Sequence, residues 1–298
     1  MAQITLLDGS LGQELVKRSG DQPTPLWSTQ VMIDHPDLLG EVYADYFSAG
    51  ATVVTSNTYA VLRDRLQKYG SEDQFEHLTE VAMQLARKAC DATGHGRVAG
   101  SFGPIGASYR PDICPPPGEA AQIYAEHVTL MKPHVDLFLL ETMSSVDQAA
   151  GGLLATCGHG KPVWLAVTVK DEDGAYLRSG EPVSALAGVV AQYRPDAVLV
   201  NCSRPEAVTE AMGHIKALGM PFGAYANGFT RISEAFLGTA PTVDVLEARR
   251  DLDPAAYAEF VMRWVSEGAT IVGGCCEVGP AHIAEIARRL QDAGHVIV

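Results

Sequence analysis

Short apolar runs alternate with longer amphipathic segments along nearly the whole chain, and this alternation constrains the fold more than any other feature. The strand-like runs cover residues 4–7, 52–55, 98–101, 137–140, 163–169, 197–200, 222–225 and 270–272. Each is mostly apolar and bounded by Gly, Pro, Asn or Asp, the pattern of strands buried on both faces in a parallel sheet. Helical periodicity falls between them, at 37–48, 76–92, 119–131, 146–156, 183–192, 204–218, 254–266 and 280–291. Asp253 ahead of Pro254 reads as a capping carboxylate before a first-turn proline, and Ser203 is read as the cap of the segment after it. Eight strand-then-helix units without a composition shift favour one closed (β/α)8 TIM barrel over 1–298 rather than an open, doubly wound sheet.

Two connections are longer than such a fold needs. One is 103–118, with Tyr109 and the run Cys114-Pro115-Pro116-Pro117; the other is 227–253. They follow the third and seventh strands, on the rim where α/β barrels build their sites. Formal net charge is −14, and no basic block interrupts it. That field repels phosphate backbones and anionic bilayers, so neither nucleic acid nor membrane is expected as a partner. The N-terminus has no basic segment leading into a long apolar stretch, so a cytoplasmic protein with reduced thiols is expected.

Three of the six cysteines fall at strand ends on that rim. Cys202 closes the sixth strand, and Cys275-Cys276 close the eighth after Gly273-Gly274. Successive side chains of a regular strand point to opposite faces, so neighbouring cysteines share a cation only where the backbone leaves the strand. The double glycine is expected to give that freedom. Three thiolates select zinc among common cytosolic metals and leave a fourth tetrahedral position for a substrate. A disulfide is the poorer reading, because adjacent cysteines close a strained ring. Cys90 and Cys157 read as packing residues, and Cys114 receives no role.

With these motifs in hand, the chain resembles the homocysteine S-methyltransferase family. The resemblance is carried by Asn201-Cys202-Ser203 and Gly273-Gly274-Cys275-Cys276. It extends through Leu7-Asp8-Gly9-Ser10, Pro25-Leu26-Trp27-Ser28, Thr55-Ser56-Asn57-Thr58-Tyr59, Gly100-Ser101-Phe102-Gly103-Pro104 and Leu140-Glu141-Thr142. It implies a zinc-containing, homocysteine-binding barrel that methylates homocysteine to methionine, with Cys202, Cys275 and Cys276 as the zinc ligands. By motif match Glu141 holds the homocysteine amino group, Asp8 lines the same pocket, and Asn227 is a polar neighbour. Trp27, Tyr59 and Phe102 are read either as substrate walls or as packing aromatics.

The donor is expected to be a free small cation, since 298 residues leave no room for folate or cobalamin modules beside the barrel. Pro25-Leu26-Trp27-Ser28, followed by His35-Pro36-Asp37, resembles the branch using S-methylmethionine or S-adenosylmethionine. The sequence departs from that branch at Ser56-Asn57-Thr58-Tyr59-Ala60-Val61, which keeps betaine or another onium open as donor. Another thiol or a selenol also stays open as acceptor. Two rivals remain: a thiol redox enzyme, which lacks the usual Cys-X-X-Cys spacing, and a non-catalytic zinc- or thiol-binding barrel. Oligomeric state is not readable.

Overall fold

A computed structural model describes residues 1–238 and 242–298. In chain order the elements are β1 (Gln3–Leu6), α1 (Leu11–Ser19), α2 (Ser28–Asp34), α3 (Pro36–Ser48), β2 (Val53–Thr55), α4 (Arg63–Gln67) and α5 (Phe75–Thr93). Next come β3 (Arg97–Phe102), α6 (Pro117–Met131), β4 (Leu137–Met143), α7 (Val146–Thr156), β5 (Val163–Val167) and α8 (Leu186–Tyr193). The last are β6 (Ala197–Asn201), α9 (Pro205–Lys216), β7 (Phe222–Tyr225), α10 (Pro254–Ser266), β8 (Ile271–Val272), α11 (Pro280–Asp292) and β9 (Val296–Ile297). All eight expected strands form, each within a few residues of its expected bounds. They make a curled parallel sheet in the order β2-β3-β4-β5-β6-β7-β8-β1-β9. Beyond the β1–β8 pairing, Leu7 bridges to Val53, the Asp8 amide donates to the Val53 carbonyl at 2.9 Å, and the Thr52 amide donates to Leu6 at 2.7 Å. The first and second strands are thereby brought together. No helix among the described residues is long and apolar enough to cross a membrane.

Alternation along the strands sorts their side chains into two apolar layers. Leu7, Val53, Ala99, Leu137, Leu139, Trp164, Ala166, Ala197, Leu199, Tyr225 and Ile271 pack together inside the curl. Their neighbours, including Val54, Val98, Phe138, Leu140, Leu165, Val198 and Val200, join the larger layer beneath the helices. Fully burying one such aliphatic side chain contributes roughly 1.5–3 kcal/mol, so a one-residue slip of any strand would be heavily penalised.

Helices α3, α6, α9, α10 and α11 each begin on a proline, whose missing N–H has no helical partner at that position anyway. Asp253 caps α10 as expected, accepting from the Ala256 amide at 2.8 Å. Ser203 does not cap α9. Its hydroxyl is drawn inward instead, accepting from the Val169 amide at 2.9 Å and meeting Thr168 Oγ1 at 3.0 Å. The segment expected as one helix at 183–192 is a 3-10 turn, Val183–Ala185, followed by α8. Three helices, α1, α2 and α4, and the edge strand β9 come in addition. Residues 239–241 of the long connection at 227–253 lie outside the described residues.

Candidate metal and substrate site

A cavity of about 610 Å³ opens at the C-terminal ends of the strands. Its deep wall follows from side-chain parity. Two residues beyond inward-facing Val53, Ala99, Leu139, Leu199 and Gly223 lie Thr55, Ser101, Glu141, Asn201 and Tyr225. These polar side chains fall into three hydrogen-bonded groups, and all of them line the cavity except Asn201, which stands behind lining residue Thr142. Tyr225 Oη donates to Glu141 Oε1 at 3.0 Å, and Ser101 Oγ donates to Glu141 Oε2. The Thr55 amide donates to Asp8 Oδ2 at 2.7 Å. Asn201 accepts from the Thr142 amide at 3.0 Å and donates to Thr142 Oγ1 at 3.1 Å. None of these four partners of the acids and of Thr142 was singled out from the sequence as a functional residue. Counting two positions up each strand from the inner apolar layer is the signal that finds them.

Burial pushes the Asp8 carboxyl up to about 8; the Thr55 amide opposes the rise and nearby Glu141 adds to it. Burial also raises Glu141, opposed by the Ser101 and Tyr225 hydroxyls. Two desolvated acids beside one cavity make a place where an ammonium group is favoured, because it restores the ionised form of both.

The cysteines reach this site through bends in the backbone. Cys202 shares parity with outward-facing Val198 and Val200, but its φ of 47° swings it onto the rim. Cys275 and Cys276 follow β8 directly. Gly273 and Gly274 are needed there for close approach rather than for a special φ. A Cβ on Gly273 would stand 2.5 Å from Leu7 Cβ, and one on Gly274 would stand 2.1 Å from Val278 Cγ1. The left-handed residue of this turn is Glu277, with φ 65°. Among the described residues, five of the six non-glycine residues with positive φ stand at this site: Trp27, Tyr109, Thr142 and Cys202 line the cavity, and Glu277 follows Cys276. Such conformations cost about 1–3 kcal/mol each and persist where surrounding structure over-determines them.

The three sulfurs lie within 4.8 Å of one another. Cys202 and Cys275, with Cα atoms 5.6 Å apart, are joined as a disulfide, and Cys276 is a free thiol. This corrects the expectation of three reduced thiols. The argument from ring strain concerned the neighbours Cys275 and Cys276, whereas the bond spans two strand ends at ordinary disulfide spacing. In the dithiol state the donor set suits zinc: about 2.3 Å to each sulfur in a tetrahedron requires sulfurs about 3.8 Å apart. Burial pushes the Cys276 thiol up to about 12, with Glu277 adding to the rise, so a cation is what would hold it as thiolate.

Asp8, Trp27, Tyr59 and Glu141 line the cavity. Phe102 does not. Its parity is outward, and it packs edge-on against Tyr124, His127 and Phe138 beneath the helices. Asn227 is buried behind the wall, its Oδ1 accepting from the Phe229 amide at 3.2 Å, and it does not reach the cavity. Tyr109, from the connection at 103–118, supplies wall that sequence reasoning left unassigned. The Arg178 guanidinium sits 4.9 Å from its ring centroid and is held in turn by both oxygens of buried Asp171, at 2.9 and 3.1 Å.

Comparison with known proteins agrees with this architecture. Residues 5–290 match the family model described as homocysteine S-methyltransferase. Homocysteine S-methyltransferase 4 of Zea mays is 31% identical, over 97% of this chain and 90% of its own. The metallated form of the homocysteine methyltransferase MmuM from Escherichia coli superposes with a TM-score of 0.80 at 27% identity, covering 96% of both chains. The oxidised form of MmuM gives 0.79 at the same identity and coverage. A family match over almost the full length, resting on a sheet that gathers the three cysteines at one rim, places this chain in the homocysteine S-methyltransferase family.

Proposed function

We propose that the protein transfers a methyl group from a small sulfonium donor, S-methylmethionine or S-adenosylmethionine, to the thiol of homocysteine, forming methionine. The observation that carries this reading is the convergence of Cys202, Cys275 and Cys276 beside two buried acids in one cavity. We infer a single domain over 1–298, a closed (β/α)8 barrel with extended loops after strands 3 and 7. The β1–β8 pairing and the bridge from Leu7 to Val53 support closure. Cys202, Cys275 and Cys276, as dithiol and thiol, would hold zinc.

When bound, zinc supplies the positive charge that keeps an acceptor thiol ionised at neutral pH, where a free thiol of pKa about 8.5 is mostly protonated. The chain's own residues do the rest. Glu141 and Asp8 receive the ammonium of homocysteine, and Tyr225, Ser101 and Thr55 fix the two carboxylates in place. Asn201 ties Thr142, next to Glu141, to the strand end bearing Cys202, so the amino and thiol ends of the acceptor are held by one rigid unit. Trp27, Tyr59 and Tyr109 exclude water and offer aromatic faces to a cationic donor. The acceptor thiolate attacks the donor methyl carbon, the carbon–sulfur bond of the donor breaks with its electron pair, and a neutral thioether leaves.

The test is anaerobic purification under reductant, measurement of zinc, and assay of homocysteine methylation with S-methylmethionine, S-adenosylmethionine and betaine in parallel. About one zinc per chain with turnover on a sulfonium is the expected result. Zinc without turnover on any donor would leave a metal-binding protein and remove the transferase reading.

A further inference from the structure

The deep wall of the cavity is acidic; its outer wall is not. Arg65, in α4, lines the outer part, and Lys68 stands one turn further on as another lining residue. This chain carries 36 acidic and 22 basic side chains, and most of its arginines are ion-paired. Arg110, also at the cavity, is taken up by Asp112 and the Leu237 carbonyl. Arg65 is different. Among the described residues it meets no carboxylate: Nη2 donates to the Pro104 carbonyl at 2.9 Å, and its Nε is buried with no partner. Its guanidinium carbon lies 5.4 Å from the centroid of the Tyr59 ring, which holds the fork against the wall. Lys68 Nζ has only a 3.4 Å contact with the Gly106 carbonyl. The short helix is itself anchored, since Asp64 Oδ2 accepts from the Gly106 amide at 2.8 Å.

We propose that Arg65, assisted by Lys68, binds the carboxylate of the methyl donor, so that the donor class is a methyl onium carrying a carboxylate at its far end. The proposal rests on the methyl-transfer reading above. An unneutralised guanidinium in the wall of a cavity, whose Nη1 has no partner among the described residues and is not buried, is a carboxylate receptor by geometry and charge. Homocysteine, a four-carbon amino acid with its sulfur at the cysteines and its ammonium at Asp8 and Glu141, occupies only the deep part of about 610 Å³. Tyr59 and Arg65 border the same cavity side by side, the guanidinium carbon 5.4 Å from the ring centroid. A zwitterion laid along this cavity places its onium toward the acids and its carboxylate on the guanidinium, matching the polarity of the cavity at both ends.

Arg65→Gln and Arg65→Lys are assayed against the wild type, all zinc-loaded, with S-methylmethionine and with trimethylsulfonium, which lacks the carboxylate. Trimethylsulfonium is followed as donor or, where it is not turned over, as competitive inhibitor. Expected in Arg65→Gln is a rise of about tenfold or more in KM for S-methylmethionine. The kcat, the constant for trimethylsulfonium and the KM for homocysteine should stay within about twofold, with Arg65→Lys in between. Equal weakening of both oniums would assign Arg65 to packing of Tyr59, and a raised homocysteine KM would move the receptor to the acceptor; either overturns the proposal, as does no change. Absence of methylation by the wild type with every donor would instead remove the underlying reading.

Discussion

The two ends of the cavity are built differently. The deep end is carried by strands: Thr55, Ser101, Glu141, Asn201 and Tyr225 stand at equivalent inward positions on β2, β3, β4, β6 and β7, and each is tied to a neighbour or to a deep-wall acid. The outer end is carried by α4 and by described residues of the connections at 103–118 and 227–253, with bonds such as that between Tyr59 Oη and Ser108 Oγ at 2.7 Å. Strand-borne groups are positioned by the whole sheet, whereas loop-borne groups are free to change without disturbing it. On the proposed reading, acceptor chemistry belongs to the scaffold and donor choice to its insertions.

Substitutions should separate the two ends, beginning with the largest effect. Alanine at Cys202 or Cys276 is expected to abolish zinc retention and turnover together, checked by metal analysis and assay on the same sample. Next, on the proposed reading Glu141→Gln removes the carboxylate that pairs with the acceptor's ammonium, and kcat/KM for homocysteine should fall about 100-fold or more with the donor KM little moved. Tyr225→Phe removes one hydrogen bond to that carboxylate and should cost about tenfold in the same parameter. A comparable fall in donor affinity in either variant would break the division between the ends. At the outer end, Ser108→Ala frees the Tyr59 hydroxyl and should raise donor KM by about two- to tenfold while leaving homocysteine KM unchanged.

Asp8 sharpens the comparison through pH. Its carboxyl, near 3.8 when solvated and about 8 when folded, binds an extra proton in the folded chain between those values. Its contribution to stability is thus fully present below about pH 4 and is lost as pH rises toward 8. The Tm of the zinc-free, reduced protein should decline across that window, and Asp8→Asn should flatten the decline. An identical slope in both proteins would show that Asp8 is ionised throughout.

How much of this was legible in the sequence depends on what local pattern encodes. The eight strands were legible because buried parallel strands leave apolar runs with sharp borders, and the cysteine triad because its chemistry is rare. Glu141 came from motif resemblance, yet parity from Leu139 alone would have pointed it inward. Phe102 shows the same rule ignored: one position past Ser101, it faces the helices. Ser203 has the residue type of a cap, but a tertiary hydrogen bond to Val169 outcompetes the local one. Helix α4 spans only five residues, too short for a period to register. Nothing local distinguishes Arg65 from the other arginines, since what marks it is a place in the cavity wall without an acidic partner among the described residues.

The clamp from Asn201 to Thr142 has a consequence for selectivity. It ties the strand end bearing Glu141 to the one bearing Cys202 by two hydrogen bonds, which hold the interval between them. On the proposed reading the site acts as a ruler for its acceptor: cysteine, one methylene shorter, cannot reach both marks at once. A single methylene is worth about 1–3 kcal/mol in such discrimination, enough to set homocysteine apart in a cell rich in smaller thiols.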